Sequence, residues 1–209
     1  MKIWENRKAL MVTMHGKEAV IAPILKGEFG IHCSVAEHFN TDALGTFSGE
    51  IKREGSPLDA LRAKCQMAIE DGWDDLIIAS EGSFGPHPQL YFAHADDEWI
   101  LLKDVRNNLE ILGRKVSAST NFDAKWVVSW PELKAFADQV KFPSHGLILR
   151  LGEFDFQMVT KGIQDWSELK RCFNILVGIK GSVYAETDMR AHLNPTRMGI
   201  IKEAALDMV

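Results

Sequence analysis

Short apolar runs of strand character alternate with stretches of helical spacing along this chain, and no low-complexity linker interrupts them. Interleaved helices and strands imply an α/β fold, a mixed β-sheet flanked by helices. Residues 9–13 (ALMVT) read as a buried strand. Residues 17–29 follow with Val20, Ile21, Ile24 and Leu25 at helical spacing, and Pro23 is expected to kink that helix or delay its start. Residues 30–36 read as a second strand. The clearest helix begins at Ser56, a favoured N-cap, with Pro57 at the first helical position, Asp59 facing the positive helix end, and Gly72 as the stop. Residues 75–80 (DLIIAS) form the next buried strand, and a glycine-rich turn follows it.

Further on, residues 89–95 and 98–104 read as a hairpin around Asp96-Asp97, and 114–119 as another strand. The remainder reads as a helix over 131–140, strands over 146–151 and 154–160, a helix over 167–177, a strand over 182–186 and a helix from Pro195 capped by Asn194. Two helices open alike, Trp130-Pro-Glu-Leu-Lys134 and Trp166-Ser-Glu-Leu-Lys170; a single shared pentapeptide is weak evidence for a repeat and is read as coincidence. A length of 209 residues suits one well-buried core, so the expectation is a single α/β domain over 1–209.

Composition narrows the function classes. A net charge of −5 argues against bulk nucleic-acid binding, which depends on a basic surface, but leaves room for a small basic pocket. The first eight residues are polar and too short for a signal peptide, and no apolar run reaches the roughly 18 residues of a membrane span. Cys33, Cys65 and Cys172 are odd in number and outside any CxxC pattern, the usage of reduced thiols. A cytoplasmic protein with no membrane partner is expected, and a homodimer is compatible with it.

Four segments carry the candidate chemistry. Ala79-Ser-Glu-Gly-Ser-Phe-Gly-Pro-His-Pro88 directly follows a buried strand, where α/β proteins bind ligands. Its glycines allow close backbone approach, Ser83 and His87 add polar groups, and Glu81 is placed to hold a metal or activate water. A solvated Gly/Pro turn is the bland alternative. Glu186-Thr-Asp-Met-Arg-Ala-His-Leu-Asn-Pro-Thr-Arg197 concentrates Asp188, Arg190, His192 and Arg197 around a helix start capped by Asn194, a natural anion site. There Asp188 either ligates a metal or neutralises an arginine, and a salt-bridged loop pinning the last helix is the competing reading. Asp42 and Glu50 bracket a Gly-Thr segment suited to oxygen ligation of Mg²⁺, with a solvated loop as the alternative. Thr13-Met-His-Gly-Lys17 joins the first strand to the first helix, where Lys17 can meet a phosphate.

The blocks 79–88 and 186–197, with Thr41-Asp-Ala-Leu-Gly-Thr-Phe47, resemble an uncharacterised bacterial domain family over nearly the whole chain. The order of elements is more distantly similar to the inosine triphosphate pyrophosphatase and Maf superfamily of nucleotide hydrolases. Thr13-Met-His-Gly-Lys17 stands where that superfamily has a Thr/Ser-Asn-x-x-Lys turn, with His15 in place of Asn. Asp42, Gly45-Thr46-Phe47 and Lys64 match its next acidic residue, its Gly-x-Thr-Phe-like segment and its helical Lys; Ser80-Glu81-Gly82 matches its acidic turn, and Thr196-Arg197 its last helix start. The paired Asp-Asp of the pyrophosphatases is reduced to Glu81 alone, and their His-Arg pair is split into His192 and Arg197.

The resemblance implies an inosine triphosphate pyrophosphatase-like fold and a Mg²⁺- or Mn²⁺-dependent hydrolase of nucleoside triphosphates or a related phosphoanhydride. Lys17, Arg190 and Arg197 then hold phosphates, and Asp42, Glu50, Glu81 and Asp188 are the metal ligands, with Asp42 and Glu81 catalytic. Thr13, Ser83, His87, His192 and Asn194 complete the substrate set. The alternative is a non-catalytic module that binds a nucleotide or other anion. On either reading the four segments are expected to share one cleft.

Overall fold

The first strand, β1 (Lys8–Val12), is apolar and buried from Ala9 onward, as a strand covered on both faces must be. In the computed structural model, which describes residues 3–36, 55–87 and 93–209, it leads into α1 (Glu18–Phe29). Pro23 lies inside that helix, and Gly30 closes it in the left-handed conformation, φ +73°. β2 (His32–Val35) follows. Helix α2 (Pro57–Glu70) opens with a reciprocal capping box: Asp59 N–H donates to Ser56 Oγ, and Ser56 N–H donates to the Asp59 carboxylate.

Next come β3 (Leu76–Pro86), β4 (His94–Asp104) and β5 (Leu109–Ser117). The sheet order is β2-β1-β3-β4-β5, with β1 parallel to both neighbours and the other pairings antiparallel. The α/β class with a mixed sheet and flanking helices therefore holds. Two readings of this region do not. The stretch 81–86 is no turn but the continuation of β3, paired with β4 from Leu76↔Asp104 to Pro86↔His94. Asp96 and Asp97 accordingly lie inside β4, and the reversal between β4 and β5 falls after Asp104.

The chain divides into two compact units, Met1–Ala118 with Arg197–Val209, and Ser119–Thr196, each with its own sheet. The second unit comprises β6 (Ala124–Val127), α3 (Trp130–Gln139), β7 (Leu147–Arg150), β8 (Val159–Ile163), α4 (Trp166–Lys180) and β9 (Val183–Thr187). A short 3₁₀ turn, Ala191–Leu193, follows, and α5 (Pro195–Asp207) runs from there into the first unit.

The pentapeptide shared by α3 and α4 is not a coincidence. The second unit contains strand–helix–strand twice, β6-α3-β7 and β8-α4-β9, in the sheet order β6-β9-β7-β8, which maps onto itself when the halves are exchanged. A constant spacing of 36 positions separates Val127 from Ile163, Leu133 from Leu169, Leu147 from Val183 and Leu149 from Ala185, and all eight are buried in one core. Ser129 and Asp165, at the same spacing, cap α3 and α4 by accepting from Glu132 and Glu168 N–H. The repeated residues also meet across the pseudo-twofold. Lys134 sits 5.2 Å over the Trp166 ring and Lys170 5.6 Å over the Trp130 ring, so each helix covers the other's tryptophan. Arg150 and Glu186, again 36 apart, form an ion pair at 2.5 Å on the central strands.

Candidate functional site

Strand β1 is flanked by two parallel neighbours that the chain reaches in opposite directions, β2 through α1 and β3 through α2. Right-handed crossovers then put α1 and α2 on opposite faces. Leu61, Cys65 and Ala68 of α2 pack with Leu10, Val12, Ile77 and Ala79 on one of them. The carboxyl end of β1 is thus a topological switch point, where open α/β sheets bind ligands. There His15 (φ +68°) and Gly16 (φ +73°) reverse the chain, so that Thr13 and Lys17 both reach β3.

Their common partner is Ser80. Thr13 Oγ1 and Ser80 Oγ are 2.8 Å apart, and Lys17 Nζ donates to Ser80 Oγ at 3.1 Å. Lys64, from α2, donates to the Ser80 carbonyl at 2.9 Å and pairs with Glu81 Oε1 at 2.6 Å. Strand alternation separates Glu81 and Ser83 from Ser80, Gly82 and Phe84. On β4, Glu98 lies opposite Gly82 and Asp96 opposite Phe84. Arg197, from α5, donates from Nε to Glu98 Oε1 at 2.6 Å, and its guanidinium lies 5.1 Å from the Phe84 ring centre. All of Thr13, Lys17, Lys64, Ser80, Glu81, Asp96, Glu98 and Arg197 are buried.

Burial shapes the protonation of this cluster. Lys17 is lowered to about 7, first by loss of water and then by the charges of Arg197 and Lys64, against the opposing pull of Glu98 and Glu81. Asp96 is raised to about 9, first by burial and then by the Glu98 charge. No N–H or hydroxyl of the described residues donates to either Asp96 oxygen, and its neighbour is the Glu98 carboxyl. Two carboxyls share a hydrogen bond only through a proton that one of them carries, so Asp96 is a neutral donor at pH 7, a carboxylic acid held protonated by its surroundings.

An acid raised in the folded state stabilises fully below its unfolded value and loses that contribution as pH rises towards its folded value. Stability is therefore expected to decline from about pH 4 towards pH 9 on account of Asp96, with the part below about pH 6 lying under the range in which Lys17 titrates. Asp96→Asn supplies a donor to Glu98 without a proton. Urea titrations should show it about 1–3 kcal/mol more stable than the parent at pH 7, with the decline flattened. An unchanged pH profile would remove Asp96 as its cause.

Thr13, Lys17 and Arg197 lie in the first unit on the face of β3 that carries Ser80 and Gly82, and Glu81 lies on the other face, paired with Lys64. Ser83 lies half-buried on β3 opposite Asp97, and His87 closes the described end of that strand by donating its N–H to the Ala93 carbonyl at 2.8 Å. Asp42 and Glu50 lie outside the described residues. Asp188, Arg190, His192 and Asn194 belong to the second unit, where the geometry is that of the bracing alternative. The buried Asp188 carboxylate accepts from Arg190 Nη2 at 2.6 Å, Arg190 Nε at 3.0 Å and Gly162 N–H at 3.0 Å. Asn194 donates to Asn121 Oδ1 at 2.8 Å, and Thr196 N–H, at the start of α5, donates to His145 Nε2 at 3.3 Å. His192 is held below the ordinary histidine value by burial and by Arg190.

Sequence reasoning passed over Ser80, Asp96 and Glu98. The signal was present: Ile100 and Leu102 are buried at period two, and the same phase continued backwards reaches Glu98 and Asp96.

No curated protein matches the chain. No helix among the described residues is long and apolar enough to cross a membrane. Residues 64–209, which hold every residue of the cluster except Thr13 and Lys17, match the domain of unknown function DUF6671, and the chain belongs to that family.

Proposed function

We propose that the protein binds a phosphorylated small molecule at the carboxyl ends of β1 and β3 and hydrolyses it, as a divalent-metal-dependent hydrolase of a nucleoside triphosphate or related phosphoanhydride. The observation that carries this reading is the set of buried charged residues on β3 at a topological switch point, with Lys17 and the Arg197–Glu98 pair on the face of Ser80 and Gly82 and the Lys64–Glu81 pair on the other. Its order of motifs also supports an inosine triphosphate pyrophosphatase-like fold for the first unit.

Magnesium draws one or two carboxylates from a protein and the rest of its ligands from water and phosphate. Among the described residues no three metal-ligating side chains converge. Glu81 is the described carboxylate that would hold such an ion, on giving up its pairing with Lys64. Bound there, the metal supplies charge neutralisation on the phosphates. Lys17 and Arg197 contribute positive charge to the anion, Thr13 and Ser80 orient the Lys17 amine, and Lys64 fixes the Glu81 carboxylate.

A second reading, a non-catalytic anion-binding module, is favoured by one feature: Glu81 and Glu98 are each closed by a cation, Lys64 and Arg197. Incubating the protein with a panel of nucleoside triphosphates and Mg²⁺ or Mn²⁺, and measuring phosphate and pyrophosphate release, separates the two. Turnover is expected, and Glu81→Gln should lower it about a hundredfold with the melting temperature within a few degrees of the parent. Tight binding with no product from any member of the panel would establish the module instead.

A further inference from the structure

Three basic side chains are buried here, and the described carboxylates pair with two of them. Lys64 is held by Glu81 and Arg197 by Glu98, each at 2.6 Å. The third, Lys17, is as deeply buried, yet among the described residues its one hydrogen bond goes to an uncharged hydroxyl, Ser80 Oγ, which is shared with Thr13. Among the described residues the titratable groups acting on it are Lys64 on α2, Glu81 on β3, Glu98 and the neutral Asp96 on β4, and Arg197 on α5. An ammonium in a water-poor site whose nearby carboxylates, Glu81 and Glu98, are each paired with another cation is costly, whereas a neutral amine accepting or donating one hydrogen bond there is not.

We infer that Lys17 waits in the empty site as a neutral amine and anchors the ligand's phosphate by taking up one proton as the anion binds. This rests on the phosphate reading given above and specifies its ligand class: an anion that brings the missing negative charge, bound together with a proton. The balance is simple. The amine gains H⁺ from solvent, the phosphate supplies the counter-charge, and no covalent bond to the ligand forms. The lowered proton affinity of Lys17 agrees with this arrangement, because a nearby phosphate restores the charged form.

Inorganic trimetaphosphate is a suitable probe, since it carries no proton of its own near neutral pH and needs no metal to be soluble. Calorimetric titration of the whole protein in buffers of different ionisation enthalpy gives the number of protons bound with it. Uptake of about 0.9 proton is expected near pH 8 and about 0.1 near pH 6, the values for a group titrating close to 7 that becomes fully charged on binding. Lys17→Arg, charged throughout, should bind with no uptake at either pH, and Lys17→Met should bind at least about tenfold more weakly, also without uptake. If the parent binds with no uptake at about pH 8, the inference is overturned while the phosphate site stands. If trimetaphosphate does not bind at all, the phosphate reading fails and this inference with it. Should either variant fail to fold, the difference between the two pH values in the parent still decides the question.

Discussion

Arg197→Ala is expected to lower the stability of the protein by about 3–5 kcal/mol, the scale for removing one partner of a fully buried ion pair. Both members are inaccessible to solvent, and Arg197 Nε donates to Glu98 Oε1 at 2.6 Å. Without the guanidinium, Glu98 becomes a buried carboxylate whose remaining neighbours are the protonated Asp96 and the weakly basic Lys17. The sequence alone suggests the opposite, an arginine at a helix start whose loss weakens anion binding and leaves stability untouched. Burial reverses that expectation, although it leaves the binding role standing, because the same guanidinium lies within Coulombic range of Lys17. Urea unfolding of Arg197→Ala and of the double variant Arg197→Met/Glu98→Gln separates pairing from packing. The double variant, which leaves no uncompensated charge, should recover most of the loss. A loss under about 1 kcal/mol in the single variant would mean that the pair does not brace α5 against β4.

Where period and capping agreed, the sequence was legible. β1, α1, α2 and the first half of β3 fall close to their expected places, because Ser56, Pro57 and Asp59 mark a helix start, and a run such as Leu76–Ala79 has no alternative to burial. The errors cluster at the site. Gly82, Gly85 and Pro86 carry the composition of a turn, and an Asp-Asp pair looks like a hairpin tip, yet both stretches are strand. What overrides the local signal is tertiary: glycine at 82 makes room for a side-chain pair, and the Asp96 carboxyl is tolerated in a strand core because it is neutral there. In the second unit the shared pentapeptide is a weak signal on its own. Its significance lies in a spacing of 36 positions kept by apolar residues that differ in identity, such as Leu149 and Ala185, and only the core they share makes that spacing evident. The Asp188–Arg190 pair could not be assigned from sequence at all, since the two residues look the same whether they grip each other or a ligand.

Gly82→Ala provides the sharpest test of how the site is built. Residue 82 is an interior strand position, so an ordinary backbone argument predicts a gain of about 0.4–1 kcal/mol from replacing glycine with alanine, through lost freedom in the unfolded chain. The surroundings predict a loss. A Cβ at this position would stand 2.6 Å from Glu98 Cδ and 2.7 Å from Arg197 Nη2, closer than such atoms approach, and neither neighbour is a loose surface side chain that can swing aside. The ion pair or the β3–β4 ladder must shift, and overpacking combined with a strained buried pair puts the cost at about 2–4 kcal/mol. Gly85, three residues further along the same strand, supplies the control, because a Cβ there meets nothing within 4 Å. Gly85→Ala should therefore be neutral or slightly stabilising. Urea midpoints of the two variants, measured side by side, should move in opposite directions or differ by at least about 2 kcal/mol. Equal stability of the two would show that the Glu98–Arg197 pair yields freely, and the close approach at Gly82 would then have no part in holding the site.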